Sequence, residues 1–310
     1  MKIAIAGAGA MGGRFGFMLN RSGFDVTLID QWQPHVEAVR KNGFKVTFNG
    51  KDFTEEIPMF FPEEVQDRKF DIIILYTKAM QLDTMLTALG PVLNDTFVAC
   101  LLNGIGHETV VEKYVPRDHI LLGNTMWSAG LVGPGQINLL GDGNVELQNL
   151  GEAGKDTAQK IVDIFTKAGL GGIYSEDVTT TIYKKACLNG VVNGLCALLE
   201  TTMAGFGETT AAWDITHSII NEFSLIAEKE GAIIDKELLT ELMADTYDPN
   251  TIGLHHPSMY QDLVLQKRLT EIDCINGYIA EKGKVYGIPT PYCQLITQLV
   301  HCKEEILGAR

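Results

Sequence analysis

Residues 2–12 read KIAIAGAGAMG. A short apolar run ends in Gly7-x-Gly9-x-x-Gly12, and the residues that follow, Met11–Arg21, have the pattern of a helix. A strand, a glycine turn and a helix in that order form a dinucleotide-binding unit. Gly7 permits the tight turn, Gly9 lets backbone approach a pyrophosphate, and Gly12 lets the helix pack on the strand. The anion would then rest on free N–H groups at the helix N-terminus. Gly7, Ala8, Gly9, Ala10, Met11 and Gly12 are therefore the expected cofactor contacts. The plainer reading of the same residues is a glycine-rich turn with no ligand.

The next strand, Asp25–Asp30, ends in an acid 18 residues beyond Gly12. A carboxylate at Asp30 can accept hydrogen bonds from ribose hydroxyls and would repel a 2′-phosphate. No cation follows until Arg40 and Lys41. The expected cofactor is NAD rather than NADP. Asp30 could instead simply cap the following helix, Gln33–Lys41.

Outward from this unit, strand-like and helical runs alternate: Asp71–Tyr76, Thr96–Leu101 and His119–Gly123 read as further strands. DIIILY is apolar throughout, as a parallel strand covered on both faces must be. The alternation predicts an α/β fold with a Rossmann-type, doubly wound parallel sheet. Asn124–Leu147, rich in glycine, predicts an antiparallel ribbon beside that sheet. From Thr179 onward nearly everything reads as helix, including Asp214–Gly231, Thr270–Tyr286 and Thr290–Leu307. Tyr247–Pro257 is the long irregular stretch. The expected division is a dinucleotide-binding domain over 1–175 and an all-helical substrate and dimerisation domain over 176–310, with a cleft between them.

The 310 residues carry a formal charge of −14, which argues against a nucleic-acid binder. No apolar run is long enough for a membrane span. The apolar N-terminus is broken by glycines and reads as a strand rather than a signal peptide. Six cysteines without a CxxC pair suggest reduced thiols in a cytoplasmic protein. The seven histidines show no metal-ligand spacing.

Lys185, Asn189 and Asn193 stand at i, i+4 and i+8 in KKACLNGVVNGLCALL, on one face of a helix. A lysine with two amides is a donor-rich strip that suits the carboxylate and carbonyl of a 2-oxo acid. Lysine can also protonate a ketone oxygen as hydride arrives. Alternatively, the stripe merely faces solvent. Lys78 and Asn103 follow strand ends, where ligands bind in parallel sheets. Each has a plain alternative, a solvated loop lysine and a turn former before Gly104.

GAGAMG at 7–12, TKA at 77–79, LNGIG at 102–106, the Lys185-x3-Asn189-x3-Asn193 strip and HPSMYQD…TEID at 256–273 together resemble the ketopantoate reductase family, over nearly the whole chain. The resemblance implies that Lys185 is the proton donor and that Asn103, Asn189 and Asn193 surround substrate and nicotinamide. It implies that Ser258 binds the substrate carboxylate and that Glu271 contacts the cofactor ribose or holds the site together. Three features depart from the pantothenate-pathway members: Asp30 in place of a basic environment, Met203 where an Asn is usual near the substrate, and one extra residue between Ser258 and Glu271. These resemble the branch of NAD-dependent D-2-hydroxyacid dehydrogenases, D-mandelate dehydrogenases among them.

The expected function is reversible reduction of branched or aromatic 2-oxo acids to D-2-hydroxy acids. The rivals are a 2-dehydropantoate 2-reductase of pantothenate biosynthesis and a non-enzymatic NAD-binding sensor, which would need the glycine turn but not the Lys-Asn-Asn strip. The expected partners are the small acid and a second copy of the chain. The apolar C-terminal helices could supply a dimer interface or serve as internal core.

Overall fold

The computed structural model describes all 310 residues. They form two compact units, one of residues 1–102 and 107–178, the other of residues 103–106 and 179–310. The first holds twelve strands: β1 (Lys2–Ala6), β2 (Asp25–Ile29), β3 (Phe44–Phe48), β4 (Lys51–Glu55), β5 (Met59–Phe60), β6 (Ile72–Leu75), β7 (Phe97–Cys100), β8 (Ile120–Thr125), β9 (Ser128–Gly133), β10 (Gln136–Leu140), β11 (Val145–Asn149) and β12 (Gly172–Tyr174). Its helices are α1 (Ala10–Arg21), α2 (Gln33–Asn42), α3 (Leu82–Leu89), α4 (Glu108–Val111) and α5 (Lys155–Lys167).

Eight strands make the main sheet in the order β12-β11-β8-β7-β6-β1-β2-β5. From β8 across to β5 the pairing is parallel, with Ile3 opposite Ile72 and Val26. This is the expected doubly wound sheet. Every residue of β6 (IIIL) is buried, as burial on two faces requires. The chain runs outward through β2 and β5, then returns to β6 on the other side of β1. The crevice beyond the carboxyl ends of β1 and β6 is thus the topological switch point. Gly7 sits there with φ +90°, and a Cβ on it would lie 2.4 Å from the Thr77 backbone nitrogen. Only glycine fits. A Cβ on Gly12 would come within 2.0 Å of the Gly7 carbonyl oxygen, which explains the close seat of α1 on β1.

The ribbon over 124–147 needs correction. β9 and β10 do pair antiparallel, but they belong to a separate four-stranded sheet, β4-β3-β10-β9. Val145–Leu147 instead joins the main sheet against β8. The small sheet covers α1, with Phe17 packed on Phe48 and Phe53. Its outer half, β3 and β4, is a two-residue hairpin through Asn49 and Gly50, both at positive φ. An Asn-Gly pair between alternating residues is a hairpin signal, and it lies in a segment to which no element was assigned above.

The second unit is helical: α6 (Val178–Leu199), α7 (Met203–Gly207), α8 (Ala212–Lys229), α9 (Lys236–Tyr247), α10 (Ser258–Tyr260), α11 (Asn276–Tyr286) and α12 (Pro291–Ile306). α6 is its central helix, buried on much of its circumference. Two glycines notch it: a Cβ at Gly190 would lie 2.6 Å from the Phe223 ring, and one at Gly194 2.7 Å from Ile296. These notches bring α8 and α12 close against α6. Asp235 and Thr202 cap α9 and α7 through the backbone N–H groups of Leu238 and Gly205.

The helix expected over Thr270–Tyr286 starts only at Asn276. Residues 270–275 form a bent segment with a single 3-10 turn at Ile272–Cys274. Its backbone groups are committed elsewhere: the Thr270 N–H donates to Glu304, and the Cys274 carbonyl accepts from the Ile105 N–H. All six cysteines are free, and four of them are buried. No helix is long and apolar enough to cross a membrane.

Candidate active site

In the first unit the glycine turn joins β1 to α1. The Gly7 N–H donates to the Ile29 carbonyl at 2.8 Å. No side chain caps α1, so its first N–H groups are open to an acceptor. A Cβ at Gly9 would meet nothing within 4 Å, so the backbone there faces open space. These observations fit a dinucleotide pyrophosphate seated on Gly7–Gly12.

Behind the turn stands fully buried His35. Its Nδ1 accepts from the Gly135 N–H at 2.9 Å, so Nε2 carries the proton and donates to the Ala8 carbonyl, also at 2.9 Å. The sequence reading did not single out this residue, because its partner is 100 residues away. Arg14 is also fully buried: it stacks 3.9 Å from the Trp127 ring and donates to the Leu140 carbonyl at 3.1 Å. Burial lowers its pKa to about 10.

Asp30 follows β2 and is half-buried. Its Oδ1 also accepts from the Trp32 N–H at 2.9 Å, so it shapes the entry to α2 as well. The nearest following cation is already engaged. Arg40 donates from Nε to the Met59 carbonyl at 2.9 Å and pairs with Glu64. It is therefore committed away from a 2′-phosphate. Lys78 is partly buried just past β6, where it starts a 3-10 turn.

The second unit holds the other predicted residues, some of which share a cavity that Lys185 and Asn189 do not line. Asn103, Asn193, Ser258 and Glu271 line one cavity, together with Met259, Asp262 and Ile275. Asn103 comes from a loop docked on the segment leading into α11. Gly104 and Gly106 take φ +101° and +88°, and Cβ atoms on them would fall 2.7 Å from Cys274 and 2.5 Å from Tyr278. The glycines of NGIG are thus contact sites as well as turn formers.

Asn193 is buried, while Lys185 and Asn189 on the same helix keep part of their surface. The protein packed around Lys185 desolvates its ammonium and lowers its pKa to about 8, while the charge of Glu271 acts in the opposite direction. A lysine so placed can give and take a proton near neutral pH. Met203 is not among the cavity-lining residues. It packs in the helical core, with its N–H on the His255 carbonyl at 3.3 Å.

Asp262 was missed as a site residue. Buried, it lines the cavity from a π-helical turn, Gln261–Leu265, a feature frequent at functional sites. Arg268 neutralises it, with Nε 2.9 Å from Oδ1. The available signal was its position four residues after Ser258, one helical turn on.

Residues 3–152 match the family described as ketopantoate reductase PanE/ApbA, and residues 177–304 match its C-terminal domain. The chain is 51% identical over 312 residues to the 2-dehydropantoate 2-reductase of Lactococcus lactis subsp. lactis (strain IL1403), covering 100% of both. It is 42% identical over 309 residues to that of Streptococcus pyogenes serotype M1, covering 99% of both. A D-mandelate dehydrogenase in ternary complex with NADH and anilino(oxo)acetate superposes with a TM-score of 0.96 at 50% identity, over 99% of this chain and 100% of that one. With both parts of the chain matched in order and relatives of equal length, this protein belongs to the ketopantoate reductase family, PanE/ApbA.

Proposed function

We propose that the protein is an NAD-dependent D-2-hydroxyacid dehydrogenase that reduces branched or aromatic 2-oxo acids. The observation that carries this reading is the Lys185 ammonium, brought by burial to a pKa of about 8 against the supporting charge of Glu271, in the same unit as a cavity lined by Asn103, Asn193, Ser258 and Glu271. The amides and the hydroxyl offer donors to the carboxylate of a 2-oxo acid. Lys185 holds a proton for the ketone oxygen and recovers it in the reverse direction. Gly7–Gly12 and Asp30 would hold the dinucleotide, with Lys78 and Glu271 as further contacts. When bound, NADH supplies the hydride. Asp30, together with an Arg40 occupied by Glu64, supports NAD over NADP. The likeness to a dehydrogenase solved with NADH and an oxo-acetate supports both cofactor and substrate class. Six free thiols fit a reducing compartment.

The second reading, a 2-dehydropantoate 2-reductase, is favoured by the names of the curated relatives. It is also favoured by Met203, one of the departures from the pantothenate-pathway members, lying outside the cavity lining. Steady-state rates with NADH and NADPH on benzoylformate, 2-oxoisocaproate and ketopantoate separate the two. We expect the highest kcat/KM with NADH and one of the first two acids. A preference for NADPH and ketopantoate would overturn the proposal.

We further infer a homodimer. Tyr292, Leu295, Leu299, Cys302 and Ile306 recur at spacings of three and four along α12, and all five are solvent-exposed. An apolar stripe of that period is the pattern by which helices pair.

A further inference from the structure

The bent segment Thr270–Asp273 carries Glu271, the residue whose charge acts on Lys185. No helix holds it, because α11 begins at Asn276. It is held instead from the far end of α12. Glu304 is fully buried. Its Oε1 accepts from both the N–H and the hydroxyl of Thr270, at 2.8 and 2.7 Å. The Thr270 hydroxyl in turn accepts from the Ile272 N–H at 3.3 Å, bridging across Glu271. Glu304 Oε2 accepts from Arg310 Nε at 2.8 Å. The same guanidinium donates to Asp273 at 2.8 Å, and His301 Nε2 lies 2.7 Å from the other Asp273 oxygen. The segment is therefore held at the Thr270 backbone immediately before Glu271 and at the Asp273 side chain two residues after it.

A fully buried carboxylate is costly to desolvate, and the mechanism above gives Glu304 no chemical step. We propose that Glu304 is a positioning residue that, through Thr270, sets the register of Thr270–Asp273 and so holds Glu271 where its charge supports the Lys185 ammonium. This rests on the reading of Lys185 as proton donor. Glu271 is the carboxylate that acts on Lys185; Asp262, which lines the same cavity as Glu271, is paired with Arg268. If Glu271 shifts away, desolvation of Lys185 goes unopposed and its proton is lost at lower pH.

The test is the pH profile of kcat for 2-oxo acid reduction at saturating NADH. In the unaltered enzyme the rate should fall with rising pH through about 8. Glu304→Leu removes the acceptor for Thr270, and the descending limb should move down by about half a pH unit or more, roughly three-fold in the ionisation constant. Glu304→Gln removes the same charge but keeps an acceptor for Thr270, so it should retain the original limb. This control separates position from charge. A folded Glu304→Leu enzyme with the original limb overturns the proposal, as does a Glu304→Gln limb displaced as far as that of Glu304→Leu. If Glu304→Leu does not fold, Thr270→Val carries the same expectation and the same overturning result. Lys185→Ala, assayed in parallel, isolates the underlying reading. If it keeps both rate and limb, the role of Lys185 itself fails, whatever the Glu304 variants do.

Discussion

At the scale of single residues, the proposed function places the proton transfer on Lys185. A lysine in water holds its proton far above neutrality, and here burial brings the pKa to about 8. A general acid works best when its pKa lies near the working pH. The sign follows directly. If Lys185 is the proton donor, reduction needs the protonated amine, and its rate should be highest below about 8 and fall above it. Oxidation of the hydroxy acid needs the free amine, and its rate rises over the same interval. Lys185→Ala should lower kcat for reduction by about 10²–10⁴-fold and abolish that limb. Initial rates across pH check this, and a variant with unchanged kcat would remove the residue from the reaction.

At the scale of elements, the glycine turn depends on parts that are remote in sequence. Residue 7 must be glycine because the backbone of Tyr76 and Thr77, just past β6, leaves no room for a Cβ. His35 on α2 ties the Ala8 carbonyl to the β9–β10 hairpin through both ring nitrogens. His35→Ala leaves a buried carbonyl and a buried N–H without partners, at about 1–3 kcal/mol each. Urea denaturation should show a loss of that order, and NADH titration by fluorescence a roughly three- to ten-fold weaker Kd. An unchanged midpoint together with an unchanged Kd would mean that the turn holds itself. α6 depends in the same way on its neighbours, since Gly190 and Gly194 matter only because Phe223 and Ile296 occupy the notches.

At the scale of the whole molecule, the chain carries a formal charge of −14 yet exposes an apolar stripe along α12. Leu295, Leu299 and Ile306 are 55%, 46% and 83% exposed, and a contiguous apolar surface usually marks an interaction site. Light scattering should return twice the chain mass of 34.0 kDa. Leu299→Glu should return the mass of one chain with its circular dichroism spectrum intact. A monomeric unaltered protein would assign the stripe another role.

Much of this protein was legible in order along the chain. GxGxxG after an apolar strand, Asp30 closing the next strand and the Lys185-Asn189-Asn193 strip all depend on local periodicity, which backbone geometry imposes directly. The continuous run DIIILY similarly announced a strand buried on both faces. What the linear order could not show was where distant segments meet. Whether β9 and β10 join the main sheet or pair with β3 depends on which face of α1 needs cover. That the helix expected from Thr270 starts only at Asn276, with the Thr270 N–H on Glu304 34 residues on, could not be seen in the linear order. Asp262 and the loop of Asn103 reach one cavity only once α6 and the segment before α11 have packed. Local hydrogen bonding and periodicity follow from neighbouring residues, whereas the partners of buried polar groups are settled only when the whole chain has folded.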